Sequence, residues 1–216
     1  MVGMIPNEVF RDLLAYYQQA GLNPEIFEPN NPQTIPGEKS IKVNGRKFDL
    51  VILKFAGGSI GFGRGGTIGP SIGFQQQNIG PTLINFNYIV KGMINSNEND
   101  LKAELKVKTE GFISKKLVDV HWEGGLLAGQ LNGDTQLKDT IMKSSVIPLK
   151  VEPDKKNNCV HIINEHAIRE IITRSGIIVQ KAETRVENFP PMETLDVIDK
   201  IATNVRAYMT PQTVPM

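Results

Sequence analysis

Residues Gly57 to Gly80 read GGSIGFGRGGTIGPSIGFQQQNIG and hold nine of the chain's twenty glycines. Arg64 is the only charged residue in this segment. Glycine loses more backbone entropy on ordering than any other residue, so such a segment becomes ordered only where another surface packs closely against it. The segment therefore either stays mobile or forms a contact surface, and the flanking elements have to be built around it.

Strong strand patterns flank the glycine-rich segment on both sides. Before it, apolar residues run without a break from Leu50 to Leu53, which is typical of a strand covered on both faces and central in its sheet. After it, bulky apolar residues alternate from Ile84 to Val90 with asparagines and one isoleucine, which predicts a half-buried strand. The segment is thus a long insertion between two core strands.

Asn44-Gly45 is the strongest hairpin signal in the chain, because a tight type I′ turn needs two residues that tolerate positive φ. A two-residue turn at this point places Ile41 opposite Phe48. In that register one face of the sheet carries an apolar row of Ile41, Phe48, Leu50 and Ile52.

Apolar residues at helical spacing predict an amphipathic helix over residues 7–20. Asn7 is its expected N-cap, and Gly21 followed by Leu22 predicts a C-terminal Schellman motif. Four prolines lie in the next stretch, residues 23–37. Proline disfavours helix at its own position and at the preceding one, so we interpret this stretch as an extended linker.

A second helical pattern covers residues 126–142 and is interrupted at Asn132-Gly133-Asp134. Gly133 is expected to take a left-handed C-terminal position and Asp134 to cap a new helix, which gives a broken helix pair. The last helix opens at Pro190-Pro191, since proline fits the first turn of a helix.

Strand patterns with short connections dominate the rest of the second half; they cover residues 101–108, 116–123, 146–151 and 159–163. The first two predict an antiparallel hairpin. The stretch 170–186 is ambiguous: its β-branched residues favour a hairpin through Ser175-Gly176. A helix over residues 164–175 is the alternative.

Consecutive strands without regular strand-helix alternation predict an α+β fold with largely antiparallel sheet, an N-terminal helix, a broken central helix pair and a C-terminal helix. We divide the chain into an N-terminal helix (1–22), a proline-rich linker (23–37), a β-rich segment (38–94) with the insertion 57–80, an α+β segment (95–209) and a flexible tail (210–216).

Composition limits the classes of function. The net charge of +1 and the few aromatic residues give no surface suited to nucleic acid or an anionic membrane, so neither partner is expected. The single Cys159 excludes an intrachain disulfide framework. The N-terminus has no basic region followed by an apolar run, so we expect a soluble, cytoplasmic protein.

Gly61, Gly63 and Gly66 fit the G-x-G-x-x-G pattern of nucleotide-binding loops. That pattern works because a helix begins at the last glycine, and the residues after Gly66 cannot form one. A generic backbone anion nest remains possible, with Arg64 as the partner of a phosphorylated small molecule. The competing interpretation is structural, since the glycines leave one face bare for close approach by another surface.

Asp119, His121 and Glu123 lie on one face of a predicted strand, at a spacing that suits an acid/base pair or metal ligands. The facing strand presents a lysine-rich polar face. Opposite charges across an antiparallel pair stabilise it and help fix its register, so a solvated, charge-paired face explains the same pattern.

Cys159, His161, Glu165 and His166 are close in sequence. Cys-x-His is too short a motif to specify a metal without ligands from elsewhere. A nucleophilic pair of Cys159 with either histidine lacks a supporting motif. We interpret these residues as polar positions at a strand edge, and we predict neither a metal site nor a cofactor.

The absence of a complete catalytic motif favours a non-catalytic binding or assembly module in a homo-oligomer, with residues 57–80 as the contact surface. The alternative is an enzyme or sensor for a nucleotide or another phosphorylated small molecule. In it Arg64 would bind the anion, and His121 with Asp119 or Glu123 would supply acid/base chemistry.

Overall fold

The computed structural model describes residues 5–56, 75–78, 82–111, 116–144, 146–175 and 181–210. Within these ranges the helices are α1 (Asn7–Gln19), α2 (Glu98–Leu101), α3 (Leu126–Gly133), α4 (Thr135–Ser144) and α5 (Glu193–Arg206). The strands in the same ranges are β1 (Pro24–Phe27), β2 (Ser40–Val43), β3 (Leu50–Phe55), β4 (Gln75–Asn78), β5 (Thr82–Lys91), β6 (Met93–Ile94), β7 (Ala103–Glu110), β8 (Lys116–Gly124), β9 (Leu149–Asp154), β10 (Cys159–Ser175), β11 (Lys181–Glu187) and β12 (Met209–Thr210). The predicted α+β fold is confirmed.

A ten-stranded sheet runs in the order β1-β2-β3-β5-β10-β9-β7-β8, with β4 and β11 paired to β10 off this path. Every described strand pair is antiparallel. The predicted central position of β3 and the predicted strand at β5 are confirmed. So is the predicted hairpin of β7 and β8.

The described helices pack against one face of the sheet. Each buries apolar side chains in the same core, among them Leu13, Leu101, Leu127, Ile141 and Ile198. The opposite face carries a smaller buried cluster of Phe27, Ile35, Leu50, Ile52, Ile89 and Cys159. The sheet therefore has a helix-covered face and an open face, and the loop that follows β1 supplies Ile35 to the open one.

Helix α1 ends as predicted but begins differently. Gly21 is left-handed, with φ 77°, and the N–H groups of Gly21 and Leu22 donate to carbonyls in the last turn, which forms the Schellman motif. The predicted cap at Asn7 is wrong, because Pro6 occupies the N-cap position. The Asn7 side chain instead accepts a hydrogen bond from Lys39 Nζ at 3.0 Å.

The predicted linker is extended over residues 24–27, where it forms the edge strand β1 on β2. Phe27 and Ile35 from this stretch are buried in the open-face cluster. Of the predicted tail, Thr210 pairs with Met93 in a small two-stranded sheet.

The register predicted for the Asn44-Gly45 hairpin is wrong. A turn does form, with Gly45 at φ 84°, but Ile41 pairs with Val51 instead of Phe48. The strand partner is thus displaced by three residues, an odd number, which reverses the faces of the second strand. Leu50 and Ile52 consequently lie on the open face, while Ile41 lies in the core beneath the helices.

Contacts with α5 and the core explain the longer loop. Asp199 accepts hydrogen bonds from the Lys47 N–H at 2.7 Å and from the Arg46 guanidinium at 3.2 Å. The Phe48 ring packs edge-on against Tyr88, with ring centroids 5.1 Å apart. These interactions hold the loop residues away from strand pairing.

The central helix pair breaks at the predicted place. Asp134 Oδ1 accepts a hydrogen bond from the Leu137 N–H at 2.9 Å, which confirms the predicted cap. Gly133, however, ends α3 without adopting a left-handed conformation, so that part of the prediction is wrong. The extended backbone of Asp134 itself, with φ −86° and ψ 91°, separates the two helices.

The ambiguous stretch forms a hairpin of β10 and β11, in which Ser175 pairs with Lys181. The helical alternative over residues 164–175 is wrong. Strand β10 has partners on both sides at its two ends, β5 and β9 over residues 159–164 and β4 and β11 over residues 171–174, and one described partner in between. At the end of this hairpin, α5 begins two residues after Pro191.

Candidate functional site

The ligand-binding residues predicted in the glycine-rich segment, Gly61, Gly63, Arg64 and Gly66, lie outside the described residues. The anion nest therefore stays a prediction. The described part of the segment is β4, which pairs with the outer end of β10, Gln75 opposite Arg174. The chain leaves β3 at Ala56, whose N–H donates to the Leu83 carbonyl at 3.1 Å.

Asp119, His121 and Glu123 lie on strand β8, at an edge of the sheet. The Asp119 carboxylate contacts Lys138 Nζ of α4 at 2.7 Å, and this interaction lowers the pKa of Asp119. His121 Nε2 lies 3.1 Å from Glu123 Oε1, and both side chains are more than half exposed. Each carboxylate thus has a separate partner on an open surface, as in the charge-paired interpretation, although these pairs do not cross to β7.

The sequence-predicted candidates at the start of β10 join a residue from the neighbouring strand. Asp154, the last residue of β9, is directly opposite Cys159, and His161 follows two residues later on the same face. Cys159 Sγ and Asp154 Oδ2 lie 3.6 and 3.7 Å from the same imidazole nitrogen, His161 Nε2. The three candidate ligand atoms all lie within 4.8 Å of one another.

The turn between β9 and β10 orients the Asp154 carboxylate. Its Oδ1 accepts a hydrogen bond from the Asn157 N–H at 3.1 Å, and its Oδ2 accepts one from Asn157 Nδ2 at 2.7 Å. Asn158 completes the turn with a left-handed backbone, φ 49°. Asparagine tolerates this conformation better than most residues, which is why the turn can be this short.

Burial controls the protonation of the cluster. It raises the pKa of the Cys159 thiol to about 12, with a further increase from the Asp154 carboxylate. Burial also lowers the pKa of His161, and Lys54 lowers it further. At neutral pH the thiol and the imidazole are therefore both uncharged. A neutral thiol is a poor nucleophile, so the cluster does not match an activated cysteine pair.

The other two candidates from this stretch do not join the cluster. His166 lies on the helix-covered face, where its Nε2 donates to the Asn188 carbonyl at 2.9 Å. Glu165 lies on the open face and lines a groove of about 300 Å³. Polar side chains in the same groove include Asn85, Glu104, Lys150 and Glu152.

Asp154 and Asn157 are the cluster residues that the sequence did not indicate. Both lie in the polar turn between two predicted strands. A hairpin with the four-residue turn 155–158 would have placed Asp154 opposite Cys159. The turn length, however, could not be read from a run of lysines and asparagines, and without it the register is unknown.

Among the helices of the described ranges, none has both the length and the apolar character needed to cross a membrane. No protein-family model, curated protein or solved structure matches the chain.

Proposed function

We propose that the protein is a non-catalytic binding or assembly module that self-associates through the segment Gly57–Gly80 and the strands that carry it. The length of β10 is the main support. This strand has 17 residues, and its outer half pairs with β4 on one side and β11 on the other. Strand β4 belongs to the glycine-rich segment. The sheet therefore carries part of that segment along β10, beyond Ile168, where the pairing of β10 with β5 ends at Thr82.

Unpaired strand edges support assembly at this ribbon of β4, β10 and β11. Among the described strands, β4 and β11 each pair with β10 alone. An edge strand with unpaired backbone groups is a ready template for a strand from another chain. Addition of a strand uses backbone hydrogen bonds, so it suits a segment with few side chains.

The β8 edge of the sheet differs from the β4 edge of the ribbon. There the Asn132 side chain accepts a hydrogen bond from the Trp122 N–H at 2.7 Å and donates one to the Trp122 carbonyl at 2.8 Å. The amide thus occupies backbone groups that a further strand would use. On the β11 side of the ribbon, the Val186 N–H likewise donates to Asp12 Oδ2 of α1 at 2.8 Å. These caps favour the β4 edge of the ribbon as the site of association.

Replacement of residues 57–74 by a Gly/Ser linker tests the proposal. From Ala167, which pairs with Leu83, to Arg174, which pairs with Gln75, β10 advances seven residues, or about 23 Å at roughly 3.3 Å per residue. A flexible linker of about twelve residues spans this distance. We expect light scattering to show an oligomer for the natural chain and a monomer for the linker variant.

The matched control replaces residues 112–115, between β7 and β8, with four Gly/Ser residues and should leave the oligomer intact. Both variants should melt close to the natural chain. A natural chain that stays monomeric at high concentration contradicts the proposal. A linker variant that associates as strongly as the natural chain contradicts it equally.

A further inference from the structure

We propose that Asp154, Cys159 and His161 form a binding site for a divalent ion of the zinc class, with a fourth coordination position left for water. This site goes beyond the assembly function and does not depend on it. It also revises the sequence-based prediction of no metal site. The spacing of Cys159 and His161 alone was insufficient, whereas the hairpin adds a carboxylate from the neighbouring strand.

The spacing of the three atoms fits a shared ion, whereas hydrogen bonds between the side chains account only for the contact of Cys159 with His161. An N–H···O hydrogen bond is about 2.7–3.2 Å long, so 3.7 Å between His161 Nε2 and Asp154 Oδ2 is too long. In a tetrahedral zinc site, with Zn–S of about 2.3 Å and Zn–N of about 2.0–2.1 Å, sulfur and nitrogen are about 3.6 Å apart. That is the observed separation of Cys159 Sγ and His161 Nε2.

The identity of the ligands selects the class of ion. A thiolate and an imidazole are ligands for zinc and similar transition metals, whereas magnesium and calcium prefer oxygen ligands only. Sites with three protein ligands keep a position for water or another small ligand. Here the Cys159 side is fully buried, while the Asp154 side chain is 30% exposed, so an ion can enter past the carboxylate.

The surroundings hold the ligands in place. All three project from one antiparallel hairpin, and two hydrogen bonds from Asn157 fix the Asp154 carboxylate, as outer-shell partners do in metal sites. Two lysines lie nearby: Lys54 contacts Glu38 at 2.9 Å, and Lys91 donates to the Gln33 carbonyl. When a metal displaces the thiol proton, thiolate and carboxylate balance the two charges of the ion.

Cobalt(II) is the probe for the test, because a cobalt–thiolate bond gives a charge-transfer absorption and Cys159 is the only cysteine in the chain. The full chain is reduced, stripped with a chelator and titrated with Co²⁺. We expect the band to saturate at about one ion per chain and to disappear when Zn²⁺ is added. Cys159→Ser should remove the band.

Asp154→Asn and His161→Gln should weaken Co²⁺ binding by more than about tenfold, the loss already typical of removing an outer-shell partner. The control is His121→Gln, which changes an exposed histidine and should bind like the natural chain. If Cys159→Ser fails to fold, Asp154→Asn still tests the site, because the Asp154 side chain is partly exposed whereas Cys159 is buried. Melting with excess chelator establishes that each variant is folded.

Two results would overturn the proposal. One is the absence of a thiolate band at saturating Co²⁺ in protein whose cysteine is shown to be reduced by thiol titration after unfolding. The other is equal Zn²⁺ affinity of the natural chain and a folded Cys159→Ser or Asp154→Asn variant.

Discussion

Gly124 and Gly125 lie where the turn from β8 into α3 passes against the backbone of α2 and of Lys102, the residue that joins α2 to β7. A Cβ atom on Gly125 would lie 2.0 Å from the Asn99 carbonyl oxygen and 2.6 Å from Asp100 Cα. One on Gly124 would lie 2.2 Å from the Lys102 carbonyl oxygen. Backbone atoms cannot rotate away as a side chain can, so this close approach requires glycine.

Gly125→Ala should therefore destabilise the protein by about 3 kcal/mol or more, because two backbone segments must move apart to make room for one methyl group. Its φ of −81° is accessible to alanine, so the cost is steric and not conformational. The matched control is Gly129→Ala in α3, where nothing lies within 4 Å of the new Cβ. Alanine there should stabilise the helix by about 0.5–1 kcal/mol. Urea unfolding midpoints measure both changes, and similar midpoints for the two variants would contradict the steric explanation.

At the scale of elements, the loop between β2 and β3 shows how tertiary contacts override a local turn preference. Asn44-Gly45 does form a turn, but a two-residue hairpin would place Arg46 in a strand. Arg46 instead reaches Asp196 and Asp199 on α5. Arg206, at the other end of that helix, donates to the Lys47 carbonyl at 2.9 Å. Helix α5 and the loop thus fix one another, and the register of β3 depends on both.

Asp199→Ala should destabilise the protein by about 1.5–3 kcal/mol, because it leaves the Lys47 N–H without its acceptor and removes the more buried of the two carboxylates that contact Arg46. The control is Asp196→Ala, which removes a carboxylate closer to the same guanidinium, at 2.7 Å, but 65% exposed. Exposed ion pairs contribute less than about 1 kcal/mol. Chemical denaturation measures the free energy of unfolding of both variants, which should fall further for Asp199→Ala than for Asp196→Ala. A larger decrease for Asp196→Ala would show that the loop is held by the ion pair alone.

At the scale of the whole molecule, the sequence predicted most elements but not their arrangement. The alternation from Ile84 to Val90 and the apolar stripe of α1 could be read because burial on one face imposes a period on the sequence. Sheet order has no such local signal. β5 and β10 are neighbours although about seventy residues separate them, and the pairing depends on complementarity across the whole core.

Only two of the three residues of the proposed metal site could be predicted, because strand register, like sheet order, has no local signal in the sequence. Cys159 and His161 were recognisable because their spacing of two places them on one face of a strand. Asp154 joins them only through the register of β9 on β10, which the turn of Asn157 and Asn158 sets. A one-residue change in that turn would put the carboxylate on the opposite face.

The free energy of unfolding should depend on pH partly through the titration of His166. Burial lowers the pKa of this imidazole below its ordinary value of 6.5, and this effect exceeds the opposing one of the hydrogen bond to the Asn188 carbonyl. As the pH falls through about 6.5, the unfolded chain therefore takes up a proton that the folded protein does not, so stability decreases until the pH reaches the folded-state pKa.

His166→Gln keeps an N–H donor for Asn188 but cannot titrate. We expect its free energy of unfolding, measured by urea denaturation from pH 8 to pH 5, to fall less steeply than that of the natural chain. Parallel curves over this range would show that His166 titrates alike in the folded and unfolded states.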